Sequence, residues 1–241
     1  MLFTLLPLYI SLYFCVLLYG KDESLSHNIQ KDWPGNCIFR MICHIKQMQD
    51  ELPIAATLTA KIDRPIVLIG LMGAGKSNLG QRIASSTGLP FIDTDSEVEK
   101  AAGCSIEEIF KQYGEKEFRD GERRVIARLL HGEPAVMATG GGSFMDPGTR
   151  RLIRQRGISI WLRADLELLH KRTRRRNHRP LIKNDDPKAT LMRLMKERSP
   201  KYGKADIVFD VSDEPASMTA KRLLATLIAH GSDNPNSVPS G

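Results

Sequence analysis

The chain has 241 residues, of which 41% are hydrophobic and 26% charged, values ordinary for one globular domain with some additional residues. Its net charge of +7 suits an anionic ligand. Aromatic residues make up only 6% and the basic residues are scattered, which argues against the basic, aromatic-rich stripe of a single-strand nucleic-acid binder.

The first 60 residues differ from the rest. Residues 2–19 carry no charge and are rich in Leu, Tyr and Phe. The length of this apolar stretch is just sufficient for a transmembrane helix. The stretch lacks the basic n-region and the cleavage site of a secretory signal. Residues 21–60 show no clear periodicity and are expected to be a linker. Two interpretations stay open, a membrane tether and a true start downstream at Met41 or Met48. The later start is favoured, because nothing further along needs a membrane.

From Lys61 onward, short apolar runs alternate with helical patterns, which predicts a parallel sheet with helices on both faces. The predicted strands are Ile66–Ile69, Pro90–Ile92, Ala135–Ala138, Ile158–Leu162 and Ile207–Phe209. The predicted helices are Lys76–Ser86, Asp95–Ala102, Ser105–Tyr113, Glu115–His131, Pro147–Gln155, Leu166–Arg174, Pro187–Lys196 and Pro215–Ala229. We therefore expect a three-layer α/β/α domain over residues 61–230 with a five-stranded parallel sheet, followed by a disordered polar tail over residues 231–241.

The first predicted strand leads into a glycine-rich loop, Gly70 to Ser77, that fits the pattern G-x-x-x-x-G-K-[ST]. The loop stands between a strand and a helix, which is the context this motif requires. Its backbone N–H groups and the helix N-terminus would hold a phosphate. Lys76 would reach the β- and γ-phosphates, and the Ser77 hydroxyl would bind Mg²⁺.

Two carboxylates, Asp93 and Asp95, follow the second predicted strand. One could hold Mg²⁺, usually through water. The other could accept a hydrogen bond from a substrate hydroxyl and help to take its proton. Helix capping explains such residues equally well, because Asp is a preferred N-cap.

Arg119 and Glu122 are three residues apart on a predicted helix and can pair. A solvated surface ion pair is the simpler interpretation. The functional alternative is an arginine that Glu122 holds so that it binds a substrate carboxylate through two hydrogen bonds. Arg198, four residues before Tyr202, is by itself explained as a basic residue near a helix C-terminus.

Three consecutive glycines, Gly140–Gly142, follow the third predicted strand. Such a run is entropically costly, so a close approach of backbone to ligand is a reasonable cause, with a plain turn as the alternative. Motifs at strand ends should converge on one edge of the sheet, where ligands of such folds bind.

A basic run, residues 171–179, has six Lys and Arg in nine positions. Charge runs are usually solvated. In a nucleotide enzyme the run could instead be a mobile lid whose arginine stabilises charge on the transferring phosphoryl group.

Taken in order and with their spacing, these motifs resemble those of the shikimate kinase family from about Pro65 to Ala229. The likeness includes the segment Gly103–Phe110 and the sequence Arg179-Pro180-Leu181, whereas residues 1–60 have no counterpart. It implies ATP-dependent phosphorylation of the 3-hydroxyl of shikimate, in the route to chorismate and the aromatic amino acids. It also implies a P-loop kinase fold like that of nucleoside monophosphate kinases, with a helical substrate-binding region and a lid over about residues 172–187.

The resemblance implies a role for each matching residue. ATP would be bound by Gly73, Ala74, Gly75, Lys76, Ser77, Asn78, Arg172 and Arg179. Shikimate would be bound by Asp95, Arg119, Gly140, Gly141, Gly142 and Arg198. Magnesium would be held by Ser77 and, through water, by Asp93. The catalytic residues would be Lys76 as charge clamp, Asp95 as candidate base and Arg179 as lid arginine.

Other functions remain in competition. A gluconate kinase of the same fold is the nearest enzyme alternative, although two carboxylate-binding arginines favour shikimate. A GTPase switch should carry an N-K-x-D motif, which the sequence lacks. A nucleic-acid-binding module is a third alternative, but no such partner is expected. The four cysteines form no C-x-x-C pair, so we expect a reduced, cytoplasmic protein. We also expect a monomer.

Overall fold

The computed structural model describes residues 62–174 and 186–232. Within them, five parallel strands form one sheet in the order β2-β3-β1-β4-β5. The strands are β1 Ile66–Ile69, β2 Phe91–Asp93, β3 Val136–Ala138, β4 Ile158–Arg163 and β5 Ile207–Asp210. Each predicted strand is present, and its ends agree with the prediction to within one residue.

The helices are α1 Lys76–Thr87, α2 Thr94–Ala102, α3 Ile106–Leu130, α4 Pro147–Arg156, α5 Leu166–Arg174, α6 Pro187–Tyr202 and α7 Ala216–Ser232. Helix α1 packs on α7, while α3 packs on α4. Crossovers between parallel strands are right-handed. Connections that run one way along the sheet therefore lie on one face, and connections that run the other way lie on the opposite face. This gives the predicted three layers.

Three helices differ from their predicted limits by more than one residue or by joining two predicted helices. Helix α3 joins two predicted helices, because only Gly114 departs from helical geometry between them (φ 81°, ψ 176°). Helix α6 continues past the predicted end at Lys196 to Tyr202, through Pro200. Burial of the Tyr202 side chain outweighs the local penalty of a proline in the last turns. Helix α7 reaches Ser232, two residues into the predicted tail.

Strand β1 occupies the centre of the sheet and is buried along its whole length. Its apolar, β-branched sequence explains this position, since it is covered on both faces and paired on both edges. The chain leaves β1 toward β2 and later crosses back from β3 to β4, so β1 and β3 flank a change in strand order. Ligands of open α/β sheets bind at such a point, beyond the carboxyl ends of the strands. The loops after β1 and β3, which hold two of the predicted motifs, therefore lie side by side.

Four predicted segments lie wholly or mostly outside the described residues: the apolar stretch 2–19, the linker 21–60, most of the lid, including Arg179, and the tail beyond Ser232. Among the helices that are described, none combines the length and the apolarity needed to cross a bilayer.

Candidate active site

The loop after β1 places three glycines, Gly70, Gly73 and Gly75, at positive φ (140°, 83° and 98°), which is why side chains are disfavoured there. Gly75 is the N-cap of α1 and provides no side-chain cap. The first N–H groups of a helix have no intrahelical partner, so here they remain for an anion. The loop thus has the backbone geometry of a phosphate site.

Helix α5 packs directly on this loop. A Cβ atom at Gly73 would lie 3.0 Å from the Leu169 carbonyl oxygen and 3.0 Å from Thr173 Oγ1. One turn away, Arg172 Nη1 lies 3.7 Å from the Cβ position of Gly75. The predicted nucleotide-binding Arg172 therefore stands at the edge of the phosphate loop.

Lys76, the predicted charge clamp, lies across its own loop. Its ammonium donates to the carbonyl oxygens of Gly70 (2.8 Å) and Leu71 (3.0 Å). The positive charge of Lys76 is therefore already fixed beside the first residues of the glycine-rich loop. Asn78, the last predicted loop contact, is exposed and accepts a hydrogen bond from Arg82 Nε (3.2 Å).

Asp93 connects the loop to the next strand. Its Oδ2 accepts a hydrogen bond from the Ser77 hydroxyl (3.1 Å), and its Oδ1 accepts one from the backbone N–H of Asp95 (3.1 Å). Asp93 is therefore the N-cap of α2 and a neighbour of Ser77 at the same time. The two interpretations of this carboxylate, capping and metal binding, are compatible.

The triple glycine, Gly140–Gly142, packs against the predicted substrate-binding side chains. A Cβ atom at Gly140 would lie 2.7 Å from Asp95 Oδ1. One at Gly142 would lie 2.6 Å from both Nη atoms of Arg119. A methyl group at Gly140 or Gly142 would force Asp95 or Arg119 to move, so these two glycines allow a close approach that a plain turn does not need.

Gly141, in the middle of the run, meets the second predicted arginine. Its carbonyl oxygen accepts hydrogen bonds from Arg198 Nη1 (2.8 Å) and from the Tyr202 hydroxyl (2.5 Å). Its Cβ position lies 3.5 Å from the carbonyl oxygen of Gly70, which also accepts from Lys76. The phosphate loop and the two arginines therefore meet at one edge of the sheet.

Arg119 and Glu122 form the predicted pair, with Nη1 2.8 Å from Oε2. Glu122 is only 3% exposed, so the interpretation as a solvated surface pair is wrong on the carboxylate side. The other oxygen, Oε1, lies 2.5 Å from the hydroxyl of Ser143. Sequence reasoning missed Ser143, whose only signal is its place directly after the triple glycine.

Arg198 contains one of two buried polar atoms that, in the described part of the chain, have no hydrogen-bond partner. The atom is Nε, and the other is Thr94 Oγ1. A buried donor without an acceptor costs about 1–3 kcal/mol. A carboxylate bound beside Arg198 would supply the acceptor, which is one recognised reason for such an atom in a native site.

The family model for shikimate kinase matches residues 72–228 of this chain. A shikimate kinase of Paramagnetospirillum magneticum is 53% identical over 184 residues, covering 76% of this chain and 94% of that protein. The chain belongs to the shikimate kinase family. The shikimate kinase of Bradyrhizobium diazoefficiens is 49% identical over 178 residues, covering 74% of this chain and 86% of its own length.

Solved structures agree. A structure described as shikimate kinase from Acinetobacter baumannii in complex with shikimate has a TM-score of 0.67 and 34% identity, covering 70% of this chain and 95% of that one. A gluconokinase from Sinorhizobium meliloti is 21% identical with a TM-score of 0.51, which shows a shared fold alone. The predicted family, P-loop kinase fold and phosphotransferase class are confirmed. Shikimate kinases use ATP as their co-substrate.

Proposed function

We propose that this shikimate kinase transfers the γ-phosphoryl group of ATP to the 3-hydroxyl of shikimate, giving shikimate 3-phosphate and ADP. One observation carries the choice of acceptor: Asp95, Arg119 and Arg198 converge on the triple glycine, directly beside the phosphate loop. Two cations and one hydroxyl acceptor suit a small acid that bears hydroxyl groups. The Acinetobacter baumannii relative is described with shikimate bound.

On the acceptor side, Arg119 and Arg198 bind the shikimate carboxylate. Glu122 holds Arg119 in place, and the carboxylate gives the buried Nε of Arg198 an acceptor. Asp95 accepts a hydrogen bond from the hydroxyl that attacks and takes its proton as transfer proceeds. Backbone groups of Gly140–Gly142 contact a further hydroxyl, because no side chain separates them from the ligand.

On the donor side, the uncapped first turn of α1 binds phosphate oxygens. Lys76 exchanges its two carbonyl acceptors for oxygens of the β- and γ-phosphates. Arg172, beside Gly75, is the residue that would pack on the adenine. Arg179, outside the described residues, completes the charge balance from the lid. Phosphoryl transfer requires mainly alignment and charge neutralisation, and these residues supply both.

Magnesium fits beside Ser77 and Asp93. Both offer oxygen atoms, 3.1 Å apart and partly buried, as a hard cation requires. Across the described residues no cluster of three or more His, Cys, Asp or Glu side chains could hold a metal, so phosphate oxygens and water would complete the shell. When bound, the ion neutralises charge on the β- and γ-phosphates.

The Asp93→Asn variant separates metal binding from capping. Asparagine caps helices as well as aspartate does, so α2 should stay intact. We expect the Mg²⁺ concentration for half-maximal rate to rise by about 10- to 100-fold, as for other residues that orient a metal shell. A magnesium titration of ADP formation measures this, and Asp146→Asn, at the N-cap of α4 and in contact with Thr149 rather than Ser77, is the matched control. An unchanged magnesium requirement in Asp93→Asn would contradict the assignment.

Gly142→Ala tests the convergence on the triple glycine. The new methyl group would occupy the space of the Arg119 guanidinium, so the arginine must move. We expect the KM for shikimate to rise by about tenfold or more, the equivalent of one displaced charged hydrogen bond. Gly121→Ala is the matched control on α3, because open space surrounds its Cβ position and alanine favours a helix. Equal KM values for the two variants would show that Arg119 does not bind the acid.

The proposed function is tested by ATP consumption with shikimate, gluconate and nucleoside monophosphates as acceptors. We expect turnover with shikimate and background rates with the others. Phosphorylation of gluconate without phosphorylation of shikimate would overturn the proposal.

A further inference from the structure

Tyr202 is the last residue of α6 and is 1% exposed. Its ring packs near two other aromatic rings, with centroids 5.8 Å from Trp161 and 6.5 Å from Phe144. Its hydroxyl leaves this apolar environment and lies 2.5 Å from the carbonyl oxygen of Gly141. A buried tyrosine normally finds a partner for its hydroxyl, but this partner belongs to the substrate-binding loop.

The hydroxyl is a hydrogen-bond donor here. Burial raises the pKa of Tyr202, and the charge and hydrogen bonding of the adjacent Arg198 guanidinium, together with the charge of Arg119, oppose that rise only in part. The phenol therefore keeps its proton at neutral pH. A carbonyl oxygen has no hydrogen to give, so the single phenolic hydrogen points at Gly141.

The carbonyl oxygen of Gly141 has two lone pairs, and two donors approach it. Arg198 Nη1 lies 2.8 Å away, and the Tyr202 hydroxyl is the second donor. A peptide held from two directions cannot rotate without losing both hydrogen bonds. The neighbouring carbonyls have donors of their own, Ser143 for Gly140 and Met145 for Gly142, so Arg198 and Tyr202 are the two donors that act on the Gly141 carbonyl itself. The tyrosine thus fixes the acceptor that in turn orients the arginine.

We propose that Tyr202 is a positioning residue for the acid substrate: its hydroxyl holds the Gly141 carbonyl and so orients the Arg198 guanidinium toward the shikimate carboxylate. The inference rests on the proposed function, which supplies the carboxylate. The aromatic ring would stabilise the core in any case, whereas the hydroxyl would act on substrate binding.

Tyr202→Phe isolates the hydroxyl, because it preserves the ring and its packing on Trp161 and Phe144. Loss of one hydrogen bond is worth about 1 kcal/mol, so we expect the KM for shikimate to rise about 3- to 10-fold. The kcat and the KM for ATP should stay within about twofold, since neither depends on that hydrogen bond. Direct titration of shikimate by calorimetry should show the same loss of affinity.

Ser159→Ala is the matched control. Its hydroxyl is also buried and lies 2.5 Å from an acceptor, Asp206, but at the start of β4, the opposite end of the strand from the site. We expect Ser159→Ala to lower the melting temperature and leave the KM for shikimate unchanged. A Tyr202→Phe variant that behaves in the same way would show a purely structural role and overturn the proposal.

A double-mutant cycle gives a second measurement. The Arg198→Lys variant lacks the planar guanidinium that Tyr202 orients. Adding Tyr202→Phe to it should therefore change the KM for shikimate by less than about twofold. Full additivity of the two substitutions would overturn the proposal. The unmodified chain serves as the reference: if it does not turn over shikimate, the proposed function fails and this inference with it. Normal turnover with unaltered KM in Tyr202→Phe defeats this inference alone.

Discussion

Replacing Arg119 by alanine is expected to lower kcat/KM for shikimate by about 100-fold or more, because truncating one member of a desolvated charge pair costs 2–5 kcal/mol. The carboxylate would lose one of two cations, and the buried Glu122 would lose its partner. ATP binding should remain within about twofold, since the proposed role of Arg119 is to bind the shikimate carboxylate and not the nucleotide. Initial rates at varied shikimate, together with nucleotide titration, measure both quantities.

Arg119→Lys guards against a folding defect, because lysine still neutralises Glu122 but lacks the planar fork that binds a carboxylate. Arg123→Ala is the matched control. It removes an arginine one turn along α3 that pairs with Asp120 and is 49% exposed. Surface pairs of this kind contribute little, so its activity should match that of the unmodified chain. Undiminished shikimate turnover in Arg119→Ala would refute the assignment of the acid-binding site.

Lys76→Ala is expected to reduce kcat by about 100- to 1000-fold, the range seen when one preorganised charge-stabilising donor is removed from an active site. Lys76 already lies at the mouth of the phosphate loop, held by the carbonyls of Gly70 and Leu71. The transferring phosphoryl oxygens would lose one of the positive charges that neutralise them. ADP formation at saturating shikimate measures the effect, and the affinity for shikimate itself should hardly change.

Lys100→Ala supplies the comparison for this variant. Lys100 is a solvent-exposed lysine on α2 that pairs with Glu97 at i,i+3 spacing. Its loss should leave kcat unaltered. If Lys76→Ala and Lys100→Ala retained equal activity, the phosphate loop would not be the site of transfer.

Local sequence was enough for most of the fold. The β-branched run Ile66–Ile69 predicted a buried central strand because such residues fit a sheet covered on both faces, and the strand has those limits. Glycines at Gly70, Gly73 and Gly75 predicted a phosphate loop because the required backbone geometry is encoded over eight consecutive residues. Motifs of this kind can be recognised from consecutive residues alone, because their backbone geometry does not depend on distant contacts.

Properties that arise from distant contacts could not be read in the same way. The spacing of Arg119 and Glu122 showed that the two could pair, but Glu122 is buried because Ser143 and the triple glycine cover it. The sequence pattern predicted too early an end for α6, because the side chains that bury Tyr202 come from β4 and from the turn after β3. Sequence spacing predicts which residues share a face and leaves open what covers that face.

The resting contacts of Lys76 make nucleotide recognition an exchange reaction. An incoming nucleotide must provide acceptors that bind the Lys76 ammonium group more strongly than the carbonyl oxygens of Gly70 and Leu71 do. Phosphate oxygens are suitable competitors, because they carry negative charge and the peptide oxygens do not. The free energy of ATP binding is consequently a difference between two sets of hydrogen bonds, those that Lys76 gains with the phosphates and those that it gives up within the loop.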